Sequence, residues 1–128
     1  MSFDWTHYLF LAENLHKGFD NPPTEAMLRS CVSRAYYAAF CHARNYLINE
    51  RDEIIPTDGS AHNLVKRKFS EAESQTDSKI AENLNRLRLD RNRADYDDSI
   101  DDLGSTSDFA IILCQSIFLK IRELQQPS

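Results

Sequence analysis

Glycine and proline are scarce in this sequence, with three glycines and four prolines among 128 residues. Both residue types interrupt helices, so their scarcity leaves room for long helical segments. Most of those that occur stand where an apolar periodic pattern stops or is about to start: Gly18, Pro22, Pro23, Gly59 and Gly104. We find no alternating strand pattern, internal repeat or low-complexity segment. The sequence therefore predicts an all-α fold, and its length is that of one domain spanning residues 1–128.

Long apolar runs are also missing, since no stretch reaches the length that a membrane span needs. The first ten residues, MSFDWTHYLF, lack the basic region and the small-residue cleavage site of a signal peptide. We therefore expect a cytoplasmic protein that does not bind or span a membrane. The cysteines Cys31, Cys41 and Cys114 are odd in number and have no metal-like spacing. We expect buried, reduced thiols at these three positions.

Apolar residues at steps of three and four predict five helical segments. These run from about Trp5 to Lys17, from after Thr24 to about Asn49, from after Ser60, from near Asp77 and from after the GSTSD stretch at 104–108. Gly18 suits the C-terminal cap of the first segment, and Thr24 suits the N-cap of the second. Ser105 and Asp108 have the spacing of a capping box for the fifth. The core stripe of that fifth segment is predicted to consist of Phe109, Ile112, Leu113, Ile117, Ile121 and Leu124.

Two of the predicted helices carry more apolar residues than one buried face needs. The main stripe of the second segment includes Tyr36, and Tyr37 and Cys41 lie off it. In the fifth segment Ile111 and Phe118 lie off the main stripe. A helix that is apolar on more than one face either occupies the centre of the fold or is buried against a partner. The pattern alone leaves both interpretations open.

The fourth segment places an arginine where an apolar residue is expected. Its core line, at steps of four and three, reads Ile80, Leu84, Leu87, Arg91 and Ala94. A guanidinium on that line needs a partner, because an unpaired buried charge is very costly. Asp95 is four residues on, within reach for an ion pair along the helix. Arg91 is therefore either a packing clamp or a charge held in place for chemistry.

The charge of the chain is negative overall but uneven along its length. The net charge is −5, which argues against general binding to nucleic acids. Between residues 66 and 93, however, eight basic residues outnumber five acidic ones. Such a face either contacts one phosphate strand or is an ordinary solvated helix surface. The candidate RNA contacts on it are Lys66, Arg67, Lys68, Arg88 and Arg93.

The acidic run that follows, residues 97–102, raises the question of a metal site. It lacks the alternating ligand spacing and the internal glycine of a calcium loop. A solvated connector explains these aspartates better, and we expect neither a metal nor another cofactor.

Three stretches of the chain resemble the HEPN superfamily. They are SRAYYAAFCHARNYL (33–47), AHNLVKRKF (61–69) and LRLDRNRADYDD (87–98), and they occur in the order found in that family. The last contains an R-N-x-A-D-Y signature that is similar to the one in small stand-alone members. The resemblance implies a bundle of four to five helices, up-and-down in connection, that is usually a homodimer. Many such proteins are metal-independent ribonucleases with toxin-like roles, often encoded beside a minimal nucleotidyltransferase that restrains them.

The resemblance also assigns roles to individual residues. Arg91 matches the motif arginine and Asn92 the polar residue that follows it. Where many members have a histidine five residues later, this chain has Tyr96, and tyrosine with a pKa near 10 is a poor base at neutral pH. Asp95 or Tyr96 would then orient groups. His42 and His62 are possible substitute bases, and His62 lies beside the lysine and arginine cluster at 66–68.

Three hypotheses remain open from the sequence. In the first, the protein cleaves RNA without a metal, and Arg91 stabilises the charge on the phosphorane. In the second, it is a non-catalytic dimeric module that binds RNA, a nucleotide or a partner nucleotidyltransferase. In the third, Arg91 and Asp95 only fix the packing of their helix.

Overall fold

The structure is a computed structural model, and it describes residues 2–19 and 21–127. It contains five helices: α1 (Thr6–Lys17), α2 (Glu25–Glu50), α3 (Ser60–Glu71), α4 (Gln75–Tyr96) and α5 (Leu103–Gln125). No strand occurs within the described residues, so the all-α prediction is confirmed. In the same residues, no helix combines the length and the apolar character needed to cross a bilayer.

Local capping explains where several helices begin and end. Gly18 ends α1 with a φ of 76°, and its N–H donates to the carbonyl of Leu15. A Cβ at this glycine would collide with the carbonyl oxygen of Asn21, so glycine is required there. Thr24 caps α2 by accepting a hydrogen bond from the backbone N–H of Met27. The predicted caps of these two helices are therefore confirmed.

The predicted start of the fifth helix is wrong. The helix begins at Leu103, about one and a half turns before the predicted position, and Ser105 and Asp108 lie inside it rather than in a capping box. Tertiary packing explains the difference. Leu103 and Ser107 are both buried, which favours helical backbone through this polar stretch. Ser107 also hydrogen-bonds the Nδ1 atom of His16 on α1 at 2.8 Å. Long-range burial therefore decides the boundary, against the local signal.

The predicted core stripe of this helix is also partly wrong. Leu113, Ile117 and Ile121 are buried as expected, but Phe109 and Ile112 are 45% and 48% exposed. Their places in the core are taken by smaller residues, Ser107, Ala110 and Cys114, each with no exposed surface. Small side chains let α5 approach its neighbours closely, a preference that hydrophobicity alone does not reveal.

α2 is the central helix of the fold, since it contacts each of the other four helices. Cys41 on α2 and Ile111 on α5 are buried inside the chain itself. Phe118 is half-buried and packs its ring at 4.3 Å from that of His42. The extra apolar residues on α2 and α5 therefore reflect central positions in the core. The three cysteines are buried and unpaired, as predicted.

A buried ion pair joins the end of α2 to the start of α4. The side chain of Asp77 is only 3% exposed, and its Oδ1 atom accepts from Nη1 of Arg51 at 2.6 Å. Ser74, the N-cap of α4, both accepts from the Asp77 backbone N–H and donates to its carboxylate. The same guanidinium lies over the ring of Tyr46, at 4.9 Å from its centroid. Asp77 therefore fixes the first turn of α4 relative to α2.

We predict that Asp77→Ala lowers the free energy of unfolding by about 2–3 kcal/mol, because it removes both the buried partner of Arg51 and a bond of the N-cap. Urea unfolding followed by circular dichroism measures the change. Asp101→Ala, at an exposed carboxylate in the α4–α5 loop, is the control, with an expected change below about 0.5 kcal/mol. Equal effects of the two substitutions would show that the contacts of Asp77 with Arg51 and Ser74 do not stabilise the fold.

Candidate functional site between α2, α3 and α4

Arg91 is buried on the core line of α4, as its spacing predicts. Its side chain is 10% exposed, and its Nη1 atom lies 3.5 Å from Oδ2 of Asp95, whose own side chain is 29% exposed. The guanidinium carbon is 5.3 Å from the ring centroid of Tyr36 and 5.4 Å from that of Tyr37. The Nε atom is buried and has no hydrogen-bond partner among residues 2–19 and 21–127. The Arg91 guanidinium is therefore held by one weak ion pair and two aromatic rings, and its Nε–H remains an unused hydrogen-bond donor.

Tyr36 connects this arginine to a histidine on the next helix. Its hydroxyl lies 2.5 Å from Nδ1 of His62, which stands in the first turn of α3. α3 begins at this point because the carboxylate of Asp58 accepts hydrogen bonds from both the backbone N–H and the hydroxyl of Ser60. The imidazole ring is stacked on Phe40, with ring centroids 4.3 Å apart and planes 16° apart. The position and the orientation of His62 are thus both fixed.

The electrostatic surroundings of His62 favour its neutral form. Partial burial lowers the pKa of His62 from its ordinary value, and the positive charges of Arg88 and Arg91 lower it further. Burial raises the pKa of the Tyr36 hydroxyl well above its usual range, so this group stays protonated. At neutral pH the site therefore holds a neutral imidazole beside two cations.

This arrangement has a definite chemical capacity. When Nδ1–H of His62 donates to the hydroxyl oxygen of Tyr36, the lone pair of Nε2 is free to accept a proton. The same bond persists after Nε2 takes up the proton, so Tyr36 would orient the imidazole throughout. Arg88, half-buried and without a carboxylate in ion-pair range in the described chain, is available for an anion. The site therefore combines a proton acceptor with positive charge, the two elements that phosphodiester cleavage needs without a metal.

The C-terminal end of α4 is held by Arg29 from α2. Its guanidinium donates to the carbonyl oxygens of Ala94, Asp97 and Asp98, at 3.0, 2.6 and 3.2 Å. These carbonyls belong to the end of the helix or follow it, where no intrahelical donor remains. Arg29 therefore fixes the turn of α4 that carries Asp95, the partner of Arg91.

The structure separates the other two residues of the motif from this cluster. Asn92 is exposed and lines a shallow cleft with Leu89 and Arg93 on another face of α4. Tyr96 is 76% exposed at the last turn of the helix. Of the predicted catalytic residues, Arg91 and His62 contact Tyr36 and Asp95 is paired with Arg91, whereas Asn92 and Tyr96 lie outside this cluster.

The predicted RNA-contacting residues also divide into two groups. Three are engaged by carboxylates: Lys68 with Glu53 at 3.1 Å, Arg67 with Glu71 at 3.3 Å and Arg93 with Asp90 at 3.3 Å. Lys66 lines a separate cleft with residues of α4, and Arg88 is the one whose charge reaches His62. The described residues contain no group of three or more histidine, cysteine or acidic side chains that could hold a metal ion.

Sequence reasoning missed Tyr36 as a member of the site. Its place on the apolar stripe of α2 assigned it to the core, and it is indeed 1% exposed. A tyrosine at a predicted core position was the available signal, because the hydroxyl of a buried tyrosine requires a hydrogen-bond partner. Periodicity within α2 does not indicate that this partner is His62.

Comparison of the chain with known proteins gives no match, whether to a protein-family model, a curated protein or a solved structure.

We predict that Arg88→Met raises the pKa of His62 toward that of an ordinary histidine, about 6.5, because it removes a nearby positive charge that disfavours the imidazolium. Nuclear magnetic resonance titration of the ring protons measures this value. His42 is an internal control: burial is the main cause of its own lowered pKa, and neither Arg88 nor Arg91 contributes to it. A His62 pKa that does not change in the variant would contradict the proximity of these groups.

Proposed function

We propose that the protein is a HEPN-like module that cleaves single-stranded RNA without a metal. The observation that carries this proposal is the imidazole of His62, which is oriented by Tyr36 and whose pKa is lowered by burial and by the charges of Arg88 and Arg91. The all-α fold of five helices agrees with the bundle that the resemblance implies. The buried motif arginine on α4 supports the same assignment.

The proposed reaction is an internal displacement at phosphorus. Nε2 of His62 takes the proton of the ribose 2′-hydroxyl, and the resulting oxygen attacks the adjacent phosphorus. The bond to the 5′-oxygen breaks, and that oxygen takes a proton from water. The products are a 2′,3′-cyclic phosphate and a 5′-hydroxyl end, and the imidazolium then returns its proton to solvent. No metal or redox partner is required.

The two arginines have different parts in this proposal. Arg88 is the half-buried guanidinium that contacts the non-bridging phosphate oxygens directly. Arg91 lies beneath the tyrosine rings, where its charge stabilises the phosphorane at close range and depresses the pKa of the base. Asp95 holds the Arg91 head in position, and Tyr36 is a positioning residue for His62.

A homodimer formed through α4 is part of this proposal. Two large side chains on this helix are exposed in the single chain: Leu89 at 54% and Tyr96 at 76%. A second copy packed against this helix would bring two clusters near each other. It would also cover the exposed ring of Tyr96.

We expect sedimentation at micromolar concentration to show a dimer, and Tyr96→Asp to convert it to a monomer without a change in helical content. Gln115→Asp, on the exposed surface of α5, is the control and should leave the association unchanged. A wild-type protein that remains monomeric throughout the accessible concentration range would rule out this interface.

A second candidate function is a non-catalytic module that binds RNA, a nucleotide or a partner nucleotidyltransferase of a toxin–antitoxin pair. Two observations favour it. Asp95 already balances the charge of Arg91, whose head is 10% exposed, and the motif position normally held by histidine carries Tyr96. In this function the same cationic surface would retain a phosphate group without chemistry.

The first function predicts cleavage of single-stranded RNA in the presence of EDTA, with cyclic phosphate at the product ends. His62→Gln should lower the single-turnover rate by about 100-fold or more, because the proton acceptor is lost. Arg88→Met should lower it by about 100-fold through loss of charge at the phosphorane. Arg93→Met is the matched control, since its guanidinium is paired with Asp90, and its effect should stay within about threefold.

The pH dependence should follow the lowered pKa of His62. Because the base must be neutral, the rate should be constant at neutral pH and above, and should fall only on the acid side of about pH 6.5. Rates that are insensitive to His62→Gln would remove this residue from the mechanism. A wild-type dimer that cleaves no RNA, with or without metal, would leave the binding module as the function.

A further inference from the structure

A cleft that His62 helps to line lies between the C-terminal half of α2, the loop at 51–59 and the first turn of α3. Its volume is about 390 Å³. Pockets for small ligands in proteins range from about 300 to 1,000 Å³, so this cleft has room for one nucleoside-sized group rather than a longer segment. The cleft is open to solvent along one side, which gives a strand access to it.

The walls of the cleft are apolar and partly aromatic. Ile48 and Ile55 supply apolar surface to the cleft, and the His62 ring, which is stacked on the buried Phe40, supplies aromatic surface. Ile48 is 38% exposed, so part of this apolar lining faces solvent. An apolar space beside the His62 ring suits a heteroaromatic group, which gains from contact with that ring and from displacing water.

Two polar side chains in the cleft supply recognition. Nε of Arg44 donates to Oδ1 of Asn45 at 3.1 Å. Because a guanidinium can only donate, this bond fixes the amide oxygen of Asn45 toward Arg44 and leaves its NH₂ group as a donor for a ligand. Within the described chain, no carboxylate lies in ion-pair range of Arg44. The Arg44 guanidinium lies 5.9 Å from the ring centroid of Trp5. Asp58 also lines the cleft, and its carboxylate accepts hydrogen bonds from the backbone N–H and the hydroxyl of Ser60. The cleft therefore offers one donor for a base edge and one cation without a carboxylate partner for a phosphate.

His62 belongs to both the cleft and the cluster around Tyr36. Its ring lines the cleft, while its Nδ1 atom bonds the tyrosine hydroxyl. A base seated in the cleft would place the sugar and phosphate attached to it next to His62 and Arg88. We propose that this cleft is a nucleobase subsite of an RNA strand, in which Asn45 donates to the base edge and Arg44 binds a flanking phosphate. This inference rests on the proposed action on RNA, and it adds where one base of that strand is held.

The test is titration of the wild-type protein with the four nucleoside 5′-monophosphates, AMP, GMP, CMP and UMP, followed by nuclear magnetic resonance. We expect chemical-shift changes at the side-chain amide of Asn45, the methyl groups of Ile48 and Ile55 and the ring of His62. Arg44→Met should weaken the binding about tenfold, the loss that follows removal of one ion pair or charged hydrogen bond. Arg122→Met, at an exposed arginine of α5, should leave the binding unchanged.

The outcomes for the cleft and for the reaction are distinguishable. If the nucleotides bind in the cleft and no RNA is cleaved, the subsite stands and the proposed ribonuclease activity fails. If RNA is cleaved but the nucleotides cause no shifts, or cause shifts only elsewhere, the inference about the cleft is overturned. In the cleavage assay, Arg44→Met should raise KM and leave kcat within about twofold, because the arginine binds substrate away from the reacting phosphorus. A matching fall in kcat would contradict a role in binding alone.

Discussion

The burial of one guanidinium, that of Arg91, determines how α2, α3 and α4 are arranged at the candidate site. Because the Arg91 side chain is only 10% exposed, water cannot fully solvate its charge. Neighbouring groups of the protein must therefore compensate this charge. Asp95 supplies the opposite charge, and the rings of Tyr36 and Tyr37 supply their π faces at 5.3 and 5.4 Å. The position of Tyr36 then fixes where its hydroxyl lies, and the hydroxyl fixes His62. A packing requirement on α4 thereby determines the orientation of an imidazole on α3.

The other buried charges of α4 follow the same rule. Asp77 at its first turn is paired with Arg51, and Asp90, also 3% exposed, is flanked by Arg86 and Arg93. The arginine partners of these two carboxylates explain why their charges are buried. The Asp90 pairs stabilise α4, and the Asp77 pair joins it to α2. Arg91 differs because its Nε atom has no partner among the described residues. That surplus donor distinguishes Arg91 from the other buried charges of α4, and for this reason we propose a functional role for this part of the helix.

The sequence predicted the helices and the inward position of Arg91, because both depend on spacing within a single segment. It also predicted the caps Gly18 and Thr24, which depend on residues one turn away. It failed at the start of α5, where burial of Leu103 and Ser107 against other helices overrides the local capping signal. It also failed to join Tyr36 to His62, since these residues come from different helices and periodicity does not indicate which helices face each other. The resemblance to the HEPN motif groups Asn92 and Tyr96 with Arg91, but the turn of the helix directs these two side chains elsewhere.

The most direct test of the proposed role of His62 is the chemical shift of its two ring nitrogens at pH 7. We predict a neutral ring that carries its proton on Nδ1, where it donates to Tyr36, with Nε2 unprotonated and able to accept a proton. In Tyr36→Phe this preference between the two neutral tautomers should be lost. An imidazolium at pH 7, or a wild-type ring with its proton on Nε2, would contradict the proposed role of His62.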